Sequence, residues 1–276
     1  MNISYNQMNI SYNQKSKTES YIQDYFQDWL DSGVDPEIIN LNVEAIAGAD
    51  LFRHLWPDAK YINRGILNAK YKRCWDECVG FDGSSLTEAW KCGARIKILK
   101  GPLLKPDHKG KVNKYRNSEG RKAPITFLKV SLHFWGKVLA RWQGVPLSEN
   151  TAVQEGEAKF FWPWVQESRA DVVLAEGEKK AGCLLTLGHA AIALPGISMG
   201  WRVTDRDFDG KAIARELHPD LLPFDDGRSI TIAFDYRPGD WFESPEFKNA
   251  AILARLFKKS TVKIARLPGP QKGIDD

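Results

Sequence analysis

Apolar and polar positions change rhythm sharply across residues 171–193, DVVLAEGEKKAGCLLTLGHAAIA. An apolar run of strand length, 172–175, is broken by Glu176-Gly177-Glu178. Residues 179–187 then have the composition of a helix, Gly188 stands where a helix C′ glycine would, and 190–194 is a second apolar run. Strand, turn, helix and strand in so short a stretch predict a βαβ unit, whose right-handed crossover builds a parallel sheet. The same rhythm returns later. Residues 229–234 read as a strand ending at Asp235, and Ser244-Pro245-Glu246 as N-cap, N1 proline and first-turn acid. That helix should run to about Lys259, with 261–267 a further strand and 268–276 the loop after it.

The first half is less regular. Residues 1–14 are MNISYNQ twice, too short and polar for a structural repeat, so 1–20 is expected to be a disordered leader. Aromatic residues at helical spacing in 20–30 predict a helix, and Asp35-Pro36-Glu37 opens a short one through Asn42. Residues 60–90 show no clean period, 91–122 read as a loop or loose hairpin, 125–130 as a strand and 134–142 as a helix. Pro146 marks a hinge, and Phe160, Phe161, Trp162 and Trp164 a short aromatic helix. The expectation is a smaller α+β domain over 21–145, with an α/β domain of parallel sheet flanked by helices over 150–276.

Composition narrows the class. With 43% hydrophobic and 27% charged residues, the chain has a globular rather than a disordered profile. No apolar run approaches membrane-spanning length, and no basic-then-apolar leader opens the chain. Four Cys in this context point to free thiols in a reducing cytoplasm. Cys74, Cys78 and Cys92 with His108 lack the spacing of a zinc knuckle. No P-loop sequence occurs, so no ATPase motor is expected.

Charge is unevenly spread. Residues 91–122 hold eleven Lys or Arg against Asp107 and Glu119, a local +9 in a chain of net +4, which leaves the remainder acidic. Lys105, Lys109, Lys111, Lys114, Arg116, Arg121 and Lys122 lie there in a Gly- and Pro-rich context. The segment reads as a solubilising loop or as an arm for nucleic acid, and the acidic remainder favours the arm. If six of these residues meet phosphates, log K should fall with log[salt] at a slope of roughly −5, without strong base readout.

The chemistry-bearing residues stand at strand ends. Ligands of open parallel sheets collect at the carboxyl ends of the strands, where Glu176, Asp235, Asp275 and Asp276 are all expected. Converging carboxylates repel one another unless a cation joins them, and Mg²⁺ is the usual partner. The plainer alternative is a set of solvated loop acids. Lys179 and Lys180 open the helix after Glu176, either as phosphate contacts or as a solvated helix face, and Lys272 in the terminal loop is a third candidate phosphate contact.

EGE at 176–178, FD at 234–235 and KGIDD at 272–276 resemble the motifs of a Toprim domain, the Mg²⁺-dependent core of topoisomerases and bacterial-type primases. From about Ser32 onward the chain resembles the N-terminal half of CyRepA-type cyanobacterial plasmid replication proteins. SGVDPEIINLNV, PLSEN, EGEKKAGCLLTLGHAAIALPG, FDYRP and LPGPQKGIDD carry that resemblance. It implies a Toprim-like sheet in a DNA-replication module, with Glu176 as general acid/base or metal ligand. Asp235, Asp275 and Asp276 would be Mg²⁺ ligands, DNA the substrate, and a helicase region the partner. It also implies two functional outcomes, catalysis or origin binding alone. The pattern departs in one place: where Toprim domains carry a second acid, Asp235 is followed by Tyr236 and Arg237. Arg237 removes a ligand and adds a cation about where a second Mg²⁺ would sit, and Asp240 could substitute only if its loop folded back. The end at Asp276, with no helicase after it, is read as a truncated or split frame.

Overall fold

In a computed structural model of the chain, residues 26–47, 55, 79–83, 95–100, 106, 108–112, 114–117, 123, 125–144 and 161–275 are described below. The expected leader, the hinge at Pro146, Cys74, Cys78 and Cys92, and Lys105, Arg121, Lys122 and Asp276 lie outside these residues. Two compact units emerge. One comprises Met1–Trp29, Val43–Gly83 and Trp90–Ala123, the other Leu30–Asn42, Ser84–Ala89 and Pro124–Asp276.

The first unit contains an antiparallel sheet of β1 (Val43–Ala47), β2 (Val79–Gly83), β3 (Arg95–Lys100) and β4 (Tyr115–Arg116), paired in that order. Ile96 and Ile98 of β3 are buried while Lys97 between them reaches Asp28 at 2.6 Å, the alternation of a strand with one covered face. The basic segment is therefore a paired hairpin rather than a bare loop: β3 leads out, Pro106 and Val112 form a bridge, and β4 returns. Lys109, Lys111 and Lys114 are exposed on it, and Arg116 is half-buried.

The second unit is an α/β fold. Its sheet runs β10–β9–β5–β6, all parallel, from β5 (Val172–Glu176), β6 (Ala190–Leu194), β9 (Ser229–Ala233) and β10 (Thr261–Ile264). Every residue of β6 is buried, as is usual in a parallel strand covered on both faces, whereas β10 is half-exposed at the edge. Among the described residues this unit's α-helices include α1 (Pro36–Asn42), α2 (Leu132–Gln143), α3 (Phe161–Glu167), α4 (Glu178–Thr186) and α5 (Pro245–Leu256). Ser244 caps α5 by accepting from Phe247 N–H, in agreement with the Ser-Pro-Glu signal.

Three expectations are corrected. Residues 125–130 are extended but join β6 through one antiparallel bridge, Thr126 to Ala193, so they do not make a strand of the sheet. Leu30–Asn42 and 124–144 belong with the parallel sheet, not with the first unit. The reason is hydrogen bonding: Asn42 donates to Lys129 O and accepts from Lys129 N, and Asp35 N–H donates to Thr186 Oγ1 on α4. Finally, the chain between β6 and β9 builds an unanticipated antiparallel hairpin, β7 (Trp201–Arg206) with β8 (Ala212–Leu217).

Much of the tryptophan goes into one core. Trp162 packs edge-on to Phe127 and Phe161 and donates Nε1–H to Leu128 O at 2.8 Å, so its polar atom is satisfied while its ring is buried. Phe224 stacks on Phe127, and Trp135 and Trp164 extend the cluster outward.

Candidate functional site

From β5 the chain passes through α4 to β6 on one side, and from β9 through α5 to β10 on the other. The carboxyl ends of neighbouring β5 and β9 are therefore a topological switch point, where diverging connections open a crevice. Glu176 is the last residue of β5, and Asp235 lies two residues beyond β9. Both acids stand where such folds bind ligands.

Gly177, at φ 93° and ψ 156°, makes the turn after Glu176, a backbone region essentially closed to residues with a Cβ. It is the N-cap of α4, whose third residue is Lys180. On the other flank, the terminal loop is folded back over β9. Tyr236 N–H donates to Lys272 O at 2.6 Å, and Gly269 (φ 65°) passes so close to the Tyr236 ring that a Cβ would lie 2.6 Å from it. Cys183 on α4 donates to Ile274 O at 3.7 Å. These contacts bring Asp275 to the crevice.

The convergence has an unexpected centre. Lys180 Nζ lies 3.1 Å from Asp235 Oδ1 and 3.6 Å from Asp275 Oδ1, and Lys272 Nζ is 3.4 Å from Asp235 Oδ2. The expected repulsion between acids is thus answered by two lysines of the chain itself. Among the described residues no group of three or more His, Cys, Asp or Glu is assembled to hold a metal. Asp235 and Asp275 both face Lys180 Nζ, and Mg²⁺ takes one or two protein carboxylates, so this pair would hold a hard cation in place of the ammonium. Asp276 lies outside the described residues.

Burial and charge set the protonation states. Burial raises the pKa of Glu176 above the ordinary glutamate value and the Asp235 charge adds to this, while Lys180 and Lys272 pull the other way. Glu246, on α5, raises it further. Burial opposes the charge on Lys180, yet Asp235 and Asp275 outweigh it and hold the ammonium above its usual range. Cys183 is raised by burial and by Asp275, which makes it a packing thiol rather than a nucleophile.

Of the predicted residues, the structure brings together Asp235, Asp275, Lys180 and Lys272, with Glu176 in electrostatic range. Lys179 is half-buried one position earlier on α4, about 100° round the helix from Lys180. The basic residues Lys109, Lys111, Lys114 and Arg116 belong to the other unit. Asp240 does not stand in for the missing acid: it accepts from Phe242 N–H at 2.9 Å as a cap of a short 3₁₀ turn. Sequence reasoning missed Glu246. It appeared as a first-turn acid, but its side chain is buried, with Arg237 Nη2 2.9 Å from Oε1. Arg237 two residues after Asp235 was the available signal, since a cation at a strand end needs a partner.

The crevice thus defines an α/β domain with buried acids and interleaved lysines at its switch point. Residues 161–276 match a family described as a domain of unknown function, DUF3854. The chain is also 28% identical over 284 residues to an uncharacterized protein of the cyanobacterium Picosynechococcus sp., an alignment that covers 95% of this chain and 27% of that protein. The chain therefore spans about a quarter of that relative's length. No solved structure matches. Among the described residues no helix is long and apolar enough to cross a membrane.

Proposed function

We propose that residues 161–276 form a Toprim-like site for Mg²⁺-dependent phosphodiester chemistry, within a cytoplasmic DNA-processing module of plasmid replication. The observation that supports this reading is the convergence of Asp235, beyond β9, and Asp275, from the terminal loop, on Lys180 at the switch point, with Glu176 at the end of β5 in electrostatic range. Mg²⁺ held by Asp235 and Asp275 would stabilise charge on phosphate oxygens. Glu176, half-buried and raised in pKa, suits proton exchange with an attacking or leaving oxygen. Lys180 and Lys272 would meet backbone phosphates, and Lys109, Lys111, Lys114 and Arg116 would add sequence-independent contacts to DNA.

A second reading is favoured by Arg237 in place of an acid: a non-catalytic module that binds origin DNA and recruits a helicase region. Purified protein with Mg²⁺ or Mn²⁺ separates the two. Nicking or primer synthesis that Glu176→Gln abolishes supports catalysis. Salt-dependent DNA binding that survives Glu176→Gln, with no turnover in either protein, overturns catalysis and supports binding alone.

A further inference from the structure

The charges at the crevice are layered. Side chains of Asp235, Asp275 and Glu246 keep 7%, 8% and 7% of their exposure, whereas Arg237 and Lys272 keep 57% and 78%. Asp235, Asp275 and Glu246, with Lys180 (19%) among them, form a floor, and Arg237 and Lys272 face solvent above it.

Arg237 is the most constrained of these cations. Its Nε donates to Glu246 Oε1 at 3.1 Å, and its Nη2 lies 2.9 Å from the same oxygen. Glu246 is fixed in turn by the first helical turn of α5, behind the Ser244 cap. A guanidinium carries five N–H donors in a rigid plane, and Glu246 occupies one edge of it. The remaining donors are aimed rather than free to sweep. Glu246 Oε2 is buried and makes no hydrogen bond. A pair built for stability alone would satisfy that oxygen, because an orphaned buried acceptor is costly.

We propose that Arg237, oriented by Glu246, binds a phosphate of the nucleic-acid backbone at the mouth of the Glu176–Asp235 crevice. The inference rests on the phosphodiester reading above and adds a specific contact to it. A planar fork matches two phosphate oxygens, as a lysine point charge does not. Arg237 then supplies fixed positive charge beside Asp235, and Glu246 is a positioning residue.

The test is fluorescence anisotropy of a labelled oligo-dT against the full chain over a NaCl series, with melting curves for each variant. Arg237→Ala should weaken binding about tenfold and flatten the salt slope by about 0.7. Arg237→Lys should restore the slope but only part of the affinity. Arg237→Ala also leaves Glu246 buried and unpaired, so Arg237→Ala/Glu246→Ala is the control for fold. If the arginine binds phosphate, the double variant stays weak. If the pair is structural, the double variant binds like wild type, and the proposal is overturned. Wild-type affinity in Arg237→Ala, with weakened binding in Lys272→Ala, also overturns it but leaves the crevice a phosphate site. Unchanged binding in Lys180→Ala and Lys272→Ala as well would remove the phosphodiester reading itself.

Discussion

The two ends of β9 carry opposite designs. Arg228, just before the strand, is fully enclosed: Nη1 donates to Val165 O and Ala170 O, Nη2 to Gln166 O, and Nε and Nη2 to the two oxygens of Asp226. Its guanidinium also lies 5.0 Å from the centre of the Phe224 ring. Just past the other end, Glu246 Oε2 is buried with no hydrogen-bond donor, Asp235 Oδ1 is met by the Lys180 ammonium at 3.1 Å, and Arg237 and Lys272 above them are exposed. A buried charge whose donors are all matched ties elements together. One left partly unmatched keeps capacity for a ligand. The amino end of the sheet is built to hold, and the carboxyl end to bind.

Breaking the amino end should cost most. Arg228→Ala strands Asp226 and the free carbonyls that tie α3 to β9, and a loss of about 3–5 kcal/mol is expected in urea unfolding. At the carboxyl end, Lys180→Met leaves Asp235 and Asp275 facing each other. A loss of about 2 kcal/mol near neutral pH is expected, smaller because this side is partly solvated. In the wild type the Lys180 contribution is complete below the ordinary lysine pKa and is lost as pH rises through its raised value.

Asp225 sharpens the contrast from the amino side. Burial disfavours its charge, but the N–H groups of Lys258, Lys259 and Ser260 outweigh this and lower its pKa. Its stabilisation is therefore present above the ordinary aspartate value and lost as pH falls through the lowered one. Asp225→Asn should cost about 1 kcal/mol at neutral pH, and the gap should close in acid melting curves.

Glu176 has the opposite sign. Its raised pKa means that the folded state holds the proton more tightly, so ionising it costs stability as pH climbs past the ordinary glutamate range. Glu176→Gln should stabilise the fold slightly at neutral pH, by at most about 1 kcal/mol, with no gain below the ordinary glutamate range. Loss of stability in that variant would place Glu176 with the structural charges and erase the distinction between the two ends.

Apolar runs and punctuation were enough to find β5, α4, β6, β9 and α5, because strands buried on both faces must be nearly continuous in Val, Ile, Leu and Ala. Gly177 and the Ser244-Pro245-Glu246 cap were legible for the same local reason: their backbone geometry admits few other residues. The β7–β8 hairpin was not, since five of the six residues of β7 are exposed and no buried face imposes alternation. Arg228 was equally silent, a cation in a polar stretch whose backbone carbonyl partners lie 58–63 residues away.

The chain's own pattern determined that a parallel sheet forms and that acids stand at its strand ends, because period and capping are local properties. Only the tertiary structure decided which charges meet. Lys180 rather than Lys179 lies between Asp235 and Asp275 because helix phase and the folded-back terminal loop select it. Glu246 is buried under Arg237 because α5 packs its first turn toward the crevice. Electrostatics depends on distance in space, and sequence order does not encode that distance until the sheet has closed.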